Sequence, residues 1–405
     1  MATENNNKTL NVPNKREQSQ TCLGYAERKE QSPQGNVPNL RFTEFSGEWE
    51  HVALSEIAAR VTRKNKDNAS KLPLTISAQY GLVDQISFFN KVVASADMSN
   101  YYLLRQGEFA YNKSYSSDYP WGAIKRLYRY PQGALSSLYI CFAVNDKVDS
   151  DFAIHYFESS KWHREVSNIA GEGARNHGLL NIAVGDFFDT KHRLPSSKEE
   201  QKKIAALLNL IAERIATQIK IIEKLESLIK GLCQKLTQQD NPNTALNETL
   251  VCYSSTLQES SVQDVGDYPV YGATGVCGYT DAPEVDGDSI LIIKDGASVG
   301  VTYYASGKYS AIGTLNRLVA KRGYSLRYLN YCLKVFNFAP YRTGLAIPHI
   351  YFRDYGKAKV WCPSLDEQHR IADVLTKVEQ KIAIEKSLLE QLYSQKRFLL
   401  QAMFI

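Results

Sequence analysis

One helix-forming stretch occurs twice in this chain, and this repeat constrains the fold more than any other feature. The first copy opens as Ser197-Lys-Glu-Glu200-Gln201, and the second opens 167 positions later as Ser364-Leu-Asp-Glu367-Gln368. Each copy continues through two further residues to Ile-Ala. In a Ser-x-x-Glu pattern the serine oxygen accepts from a free amide of the first turn, and the glutamate can reach back to the start. The pattern therefore predicts a helix beginning near each serine.

Apolar residues follow both helix starts at spacings of three and four, which is typical of a coiled-coil seam. The first seam contains Ile204, Leu208, Ile211, Ile215, Ile222, Leu225, Ile229, Leu232 and Leu236. The second contains Ile371, Leu375, Val378, Ile382, Leu389, Leu392, Leu399 and Met403. About forty residues at about 1.5 Å each would make a helix of about 60 Å.

Each seam is broken once by a polar residue, Gln218 in the first and Glu385 in the second, again 167 positions apart. Neither helix can bury its apolar stripe alone, and packing of such a stripe supplies most helix stability. We expect the two helices to pair antiparallel around a pseudo-two-fold axis, with the polar breaks together at mid-length, where they would fix the register. The alternative is two separate amphipathic helices, each lying on its own globular neighbour.

Composition narrows the class of protein. A length of 405 residues suits two or three globular units, and the net charge of +5 permits a polyanionic partner without requiring one. The seven cysteines form no C-x-x-C pair and the seven histidines are dispersed, so we expect free thiols and no metal site. No signal-peptide pattern and no long apolar run occurs. These features predict a soluble, cytoplasmic protein without a membrane segment.

The two long helices divide the chain into segments. Residues 1–35 are polar and expected to be disordered. We predict globular units of mixed α+β structure at 36–194 and 239–361, and long helices at 195–238 and 362–405. Short helices are expected at 54–61 and 151–162. Glycines at 272, 275 and 278 lack the G-K-[ST] ending of a phosphate loop, so hairpin turns are the better interpretation.

This order of domain, helix, domain, helix resembles the DNA-specificity subunit of type I restriction–modification systems. The resemblance rests on the two Glu-Gln helix starts, on Arg41-Phe-x-x-Phe-x-Gly-Glu-Trp49, and on Tyr268-Pro-Val-Tyr-Gly272 with Gly296 and Gly300. It covers the chain from about residue 36 onwards. The second globular unit lacks the Arg-Phe-x-x-Phe-x-Gly-Glu-Trp opening, so the two halves are related in layout more than in sequence.

The resemblance implies a function and a set of partners. The globular units would be target-recognition domains for a bipartite, asymmetric double-stranded DNA site, and the helices would be spacers that set the gap. The helices would also dock two methyltransferase subunits and, through them, restriction subunits. Catalysis would belong to those partners, which would use S-adenosylmethionine, ATP and Mg²⁺, and this chain would hold no cofactor of its own.

Candidate DNA contacts are the side chains that read base edges or neutralise phosphates. In the first domain the candidates are Lys113, Lys125, Arg126, Arg129, Arg175 and Asn176, and in the second they are Lys294, Lys308, Asn316, Arg317, Arg342 and His349. For any one of them a solvated surface charge is the simpler interpretation.

Two other classes of function were weighed. A nuclease needs clustered acidic metal ligands, and a methyltransferase needs a Gly-rich cofactor loop with an Asn/Asp-Pro-Pro-aromatic tetrapeptide. The sequence contains neither pattern, so we expect no catalytic activity. The remaining alternative is a coiled-coil scaffold whose globular domains bind protein, which predicts no DNA affinity at any salt concentration.

Overall fold

The computed structural model describes residues 35–171, 178–344 and 346–405. They form two compact units. The first unit contains the described residues up to Ile219 together with Leu388–Ile405, and the second unit contains Lys220–Ser387. Each of the two long helices contributes one part to each unit. No helix among the described residues is long and apolar enough to cross a membrane.

The first unit is built on two four-stranded sheets and one two-stranded sheet. Its strands are β1 Glu50–Ala53, β2 Ala58–Arg60, β3 Pro73–Ser77, β4 Gly81–Asp84, β5 Tyr102–Arg105, β6 Phe109–Asn112, β7 Ala123–Arg126, β8 Gln132–Leu135, β9 Ile140–Val144 and β10 Lys191–Leu194. Its short helices are α1 Leu54–Ile57, α2 Gln85–Phe89, α3 Ser150–Glu158, α4 His163–Ile169 and α5 Val184–Asp189, and the long helix α6 Lys198–Thr237 follows them. The strand orders are β2-β9-β6-β7, β4-β3-β8-β5 and β1-β10.

The second unit repeats this plan. Its strands are β11 Thr244–Ala245, β12 Leu250–Ser254, β13 Tyr268–Gly272, β14 Gly275–Thr280, β15 Val285–Asp286, β16 Ser289–Ile293, β17 Thr302–Ala305, β18 Lys308–Ala311, β19 Leu315–Ala320 and β20 Lys359–Val360. Its helices are α7 Leu246–Thr249, α8 Leu326–Val335, α9 Phe352–Tyr355 and the long helix α10 Leu365–Ala402. The strand orders are β12-β19-β16-β17, β14-β13-β18-β15 and β11-β20.

The two units therefore share one topology, because every strand of the first has a counterpart ten strands later in the second. The parallel strand pairs of the two units also correspond, since β3 pairs with β8 and β13 pairs with β18. The residues that fill the cores differ. Phe109 and Phe142 stack across β6 and β9 at 5.4 Å, whereas Ile290 and Leu318 face each other across β16 and β19. The mixed α+β fold predicted from sequence is confirmed.

Both long helices begin where the repeated motif predicts. The amide of Glu200 donates to Ser197 Oγ at 3.3 Å, and the amide of Glu367 donates to Ser364 Oγ at 3.4 Å. The glutamate side chains do not complete a capping box, which corrects that part of the prediction. Glu200 instead binds residues before the first sheet, and Glu367 pairs with Arg370 at 2.9 Å on its own helix.

Glu200 anchors the segment that enters the first unit. Arg41 donates to both carboxylate oxygens of Glu200 at 2.8 Å, and Trp49 Nε1 donates to Oε1 at 3.2 Å. The Glu200 side chain is 2% exposed and that of Arg41 is 13% exposed. The amide of Leu40 donates to the carbonyl of Ala402 at 2.9 Å. This segment therefore joins the start of α6 to the end of α10 within the first unit.

The long helices pack antiparallel within each unit. In the second unit Lys386 Nζ lies 2.7 Å from Glu226 Oε1. Seven residues later in α6, burial raises the pKa of Cys233 to about 11. The charge of Lys334 lowers that pKa, and Glu379, seven residues earlier in α10, raises it. In the first unit the start of α6 and the end of α10 share one apolar core, to which Ile204, Leu208, Leu399 and Met403 belong.

The polar breaks of the two seams are both buried: Gln218 is 5% exposed and Glu385 is 8% exposed. Lys381 Nζ lies 2.5 Å from Glu385 Oε1. The two residues fall in different units, so their mutual contact stays a prediction. Burial at both positions agrees with their place in the seam.

Two smaller predictions are settled by the strands and helices. The predicted helix over 54–61 is wrong in its second half, because α1 ends at Ile57 and β2 begins at Ala58, where pairing with β9 takes over. The glycines at 272, 275 and 278 lie in the hairpin of β13 and β14, as predicted. Gly275 closes that turn with φ +106°, a backbone conformation that favours glycine.

The anchoring of Arg41 generates a testable difference between the two repeated glutamates. Glu200→Gln should lower the free energy of unfolding by about 2–3 kcal/mol, because it leaves a nearly buried guanidinium without its charged partner. The matched variant Glu367→Gln should cost less than about 1 kcal/mol, since its ion pair with Arg370 is exposed. Urea unfolding followed by circular dichroism measures both. Equal losses in the two variants would contradict the anchoring role of Glu200.

Candidate nucleic-acid interface

A lysine follows β6, an inner strand of a four-stranded sheet in the first unit. Lys113 directly follows β6, and its carbonyl accepts from the amide of Leu180 at 2.9 Å. The next residue, Ser114, forms an isolated antiparallel bridge with Leu179. Lys113 Nζ donates to the carbonyl of Ile182 at 3.4 Å. An ammonium group has three donors, and within the described residues one donor of this half-buried lysine is used in this bond.

The second unit places a lysine in the same local structure. Lys294 directly follows β16, and its carbonyl accepts from the amide of Ile350 at 2.9 Å. The next residue, Asp295, bridges to His349. His349 Nδ1 and Asp295 Oδ1 lie 2.7 Å apart, and both side chains are about one-third exposed. The imidazole and the carboxylate thus hold the loop that follows the lysine.

These two lysines occupy equivalent positions in the shared topology. Lys113 directly follows β6 and Lys294 directly follows β16, which are inner strands of equivalent sheets. Each lysine carbonyl accepts from the segment that leads towards the last short helix of its unit. Two domains with different core residues thus both have a lysine directly after this strand. A lysine at such a strand end suits phosphate contact, which positions a protein on DNA without reading sequence.

Polar side chains capable of base readout lie across the sheet from Lys294. The register of β12, β19 and β16 aligns Ser254, Asn316 and Ile292. Ser254 Oγ donates to Asn316 Oδ1 at 3.0 Å, and Asn316 is 6% exposed. Asn316 is therefore held within the sheet by Ser254, and its burial leaves little of its amide accessible to a base edge.

Arg317 lies on the opposite face of the same strand. Its guanidinium carbon is 4.3 Å from the ring centroid of Tyr253, and that tyrosine is 47% exposed. The stacked pair offers a planar donor set beside an exposed aromatic ring. Lys308 lies 5.7 Å from the centroid of Tyr268. These pairs are suited to nucleic acid but also occur on ordinary surfaces.

Arg342 lies in the loop before His349. It is exposed, and its Nη2 donates to the carbonyl of Val299 at 3.2 Å. It borders an open groove of about 390 Å³ between the end of α8 and β17. The residue after Arg342, Thr343, donates its amide to the carbonyl of His349. His349 bridges to Asp295, and the amide of Ile350 donates to the carbonyl of Lys294. Arg342 is thus linked through these bonds to the loop after Lys294.

Two candidates of the first domain are engaged within the protein. Arg126 Nη1 binds Ser150 Oγ at 2.7 Å and Asp151 Oδ1 at 2.8 Å. Burial lowers the pKa of Lys125, while the nearby charge of Glu158 raises it and that of Lys396 lowers it. Both residues support the packing of β7 against α3. As DNA contacts they would first have to leave these partners.

Arg129 is the remaining described candidate of the first domain. Arg129 is exposed, and its Nε donates to the hydroxyl of Tyr128 at 3.1 Å. Arg175 and Asn176 lie outside the described residues. Among the residues that are described, no group of three or more potential metal ligands occurs.

Sequence reasoning missed several partners that complete these sites. Tyr253 and Ser254 were not among the candidates, although an aromatic and a hydroxyl at a strand end are signals for them. The pairing of Arg41 with Glu200 joins two separate motifs, 159 positions apart, and nothing in either motif alone indicates it. The equivalence of Lys113 and Lys294 needs the register of the sheets.

A family model matches part of the second half of the chain. It matches residues 253–394 and describes the type I restriction modification DNA specificity domain. Residues 253–394 are similar to that family, and the match covers about a third of the chain. The matched residues span most of the second set of sheets and much of α10.

Two solved structures resemble the chain over nearly its whole length. One is the type I restriction–modification S subunit from M. genitalium, with 18% identity, a TM-score of 0.57, and coverage of 91% of this chain and 99% of that one. Another comes from work on complex assembly and conformational transition of the type I R-M system, with 16% identity, a TM-score of 0.54, and coverage of 87% and 96%. A comparison with curated protein sequences finds no match. The chain therefore shares the fold of these two structures.

The lysine at each strand end can be tested through salt dependence. Lys294→Met should weaken DNA binding and lower the slope of log affinity against log salt by about one, because one phosphate contact is lost. Lys113→Met should do the same. Fluorescence anisotropy with duplex DNA at several salt concentrations measures both slopes. Lys357→Met, an exposed lysine just after α9, is the control, and an equal change in that variant would remove any special role for the strand-end lysines.

Proposed function

We propose that this chain is the DNA-specificity subunit of a type I restriction–modification complex. It binds a bipartite, asymmetric DNA site through two target-recognition domains, 36–194 and 239–361, with unread base pairs between the half-sites. It has no catalytic activity of its own. The observation that carries the proposal is one strand topology used twice, on two copies of one helix start, with different polar residues at equivalent positions.

The difference in polar residues supports asymmetric readout. Three residues before Lys294, Leu291 pairs with Arg317 across the sheet. Three residues before Lys113, Ala110 pairs with Cys141. One residue further along each strand, Ile292 pairs with Asn316 and Tyr111 pairs with Ile140. The second unit therefore has Arg317 and Asn316 where the first unit has Cys141 and Ile140. Because base readout depends on donors and acceptors at fixed points, two such domains would select different sequences.

The spacing of the half-sites would come from α6 and α10. Helices of 40 and 38 residues are about 60 Å long, and an antiparallel pair is stiff along its axis. A target with a gap of fixed length follows from a stiff spacer. Adding helical turns to both spacers would lengthen the gap.

The outer faces of the long helices support docking of partner subunits. Several apolar side chains there are more than half exposed: Leu210, Ile384 and Phe398, at 63%, 62% and 61%. Exposed apolar residues on a structured helix often mark interaction surfaces. We infer that they contact methyltransferase subunits, two in the complete complex, which in turn bind restriction subunits. Those partners would supply the S-adenosylmethionine, ATP and Mg²⁺ chemistry.

Domain exchange tests the proposal. Replacing residues 36–194 by the corresponding domain of another specificity subunit should change one half of the methylated site and leave the other half and the gap intact. Replacing 239–361 should change only the opposite half. Methylation mapping of DNA from cells that carry the methyltransferase subunit reads out both exchanges. If either exchange altered both halves, independent recognition by the two domains would be wrong, and absence of DNA affinity at every salt concentration would favour the protein-binding scaffold.

A further inference from the structure

A buried glutamine connects the start of α6 to the first unit. Gln201 is 2% exposed. Its Oε1 accepts from the amide of Asp149 at 2.7 Å, and its Nε2 donates to the carbonyls of Pro195 at 2.9 Å and Lys147 at 3.2 Å. Every polar atom of this amide is thus used within the unit. The side chain lies directly after Glu200 but faces different partners.

The second glutamine makes the corresponding bonds at the start of α10. Gln368 is 1% exposed. Its Oε1 accepts from the amide of Ser325 at 2.9 Å, and its Nε2 donates to the carbonyl of Pro363 at 2.9 Å. The same atoms bind the same kinds of groups in two units whose cores differ in sequence. This repetition indicates a shared role.

The residues held by the glutamines are helix caps. Asp149 caps α3, because its side chain accepts from the amides of Asp151 and Phe152. Ser325 caps α8, because its hydroxyl accepts from the amide of Tyr328. Helix α3 packs against β7, and α8 packs against β16, β17 and β19. Each glutamine therefore binds the helix that supports the sheets of its own recognition domain.

A second bond, further along each long helix, holds the same supporting helix. His155 of α3 has its Nε2 at 2.8 Å from Asn209 Oδ1 of α6. Tyr331 of α8 has its hydroxyl at 3.1 Å from Thr376 Oγ1 of α10. Asn209 and Thr376 each lie eight residues after the glutamine, about 12 Å along the helix. One bond alone would leave the supporting helix free to rotate about it, whereas bonds about 12 Å apart restrict its angle to the long helix.

We propose that Gln201 and Gln368 are positioning residues that set the angle between each recognition domain and its spacer helix, and thereby the strictness of the gap length. The inference rests on the proposed function. A shift of about 3.4 Å, the rise of one base pair, is enough to change the register of a half-site by one. Loss of the glutamine would remove the bonded point at the start of the spacer helix, and the domain could then reach targets with altered gaps while its base-reading residues stayed unchanged.

The test compares gap selectivity in complexes assembled with the methyltransferase subunit. Duplexes carry the wild-type half-sites with the natural gap or with one base pair removed or added, and the rate of methyl transfer is measured on each. Gln201→Leu should lower the preference for the natural gap about tenfold. Gln368→Leu should do the same. Gln234→Leu, at an exposed position of α6, is the control and should keep the wild-type preference.

A milder variant keeps the test decisive if the leucine variants do not fold. Gln201→Asn keeps a neutral amide but shortens the side chain by one methylene, so the bonds to Asp149, Lys147 and Pro195 weaken and gap selectivity should relax by a smaller factor. Circular dichroism verifies that each variant is folded. Uniform loss of activity on all three duplexes, with the preference unchanged, would overturn the positioning role. If the wild-type complex methylated no gapped site at all, the proposed function itself would fail.

Discussion

The apolar stripes of α6 and α10 impose the constraint on which the rest of the structure depends. A helix of about forty residues with such a stripe is not stable alone in water, and each one is buried against the other within both units, together with the cores of the sheets. The antiparallel direction follows from the ion pair of Glu226 with Lys386 and from the charge of Glu379, which raises the pKa of Cys233. Because the start of each helix also carries a globular domain, the packing that buries the stripes within a unit also supports the sheets of that unit.

The repeated helix start does more than begin a helix. Its serine caps the first turn, and its glutamine binds the cap of α3 or α8. Its glutamate has diverged between the copies: Glu200 is buried against Arg41 and Trp49, while Glu367 pairs with Arg370 at the surface. The two copies thus share one role, the attachment of a globular domain to its long helix. The first copy has a second role, because Glu200 also anchors the entering segment beside the end of α10.

Periodicity and capping chemistry were sufficient to predict the long helices, because both signals act within a few residues. The mixed α+β class followed from short strands punctuated by turn residues. The equality of the two sheet topologies could not be predicted, since it arises from pairings between distant strands whose residues differ, such as Phe109 with Phe142 and Ile290 with Leu318. The candidate DNA contacts were chosen by residue type alone. Type cannot distinguish Arg126, bound to Ser150 and Asp151, from Arg317, stacked on exposed Tyr253.

Methylation mapping tests the central claim most directly. Genomic DNA would be compared from cells that express this chain with a cognate methyltransferase subunit and from otherwise identical cells that lack the chain. Recognition of a bipartite site by this subunit predicts a methylated motif of two unlike halves with a fixed gap, present only in the first cells. An identical methylation pattern in both cell lines, with the chain expressed and folded, would contradict it.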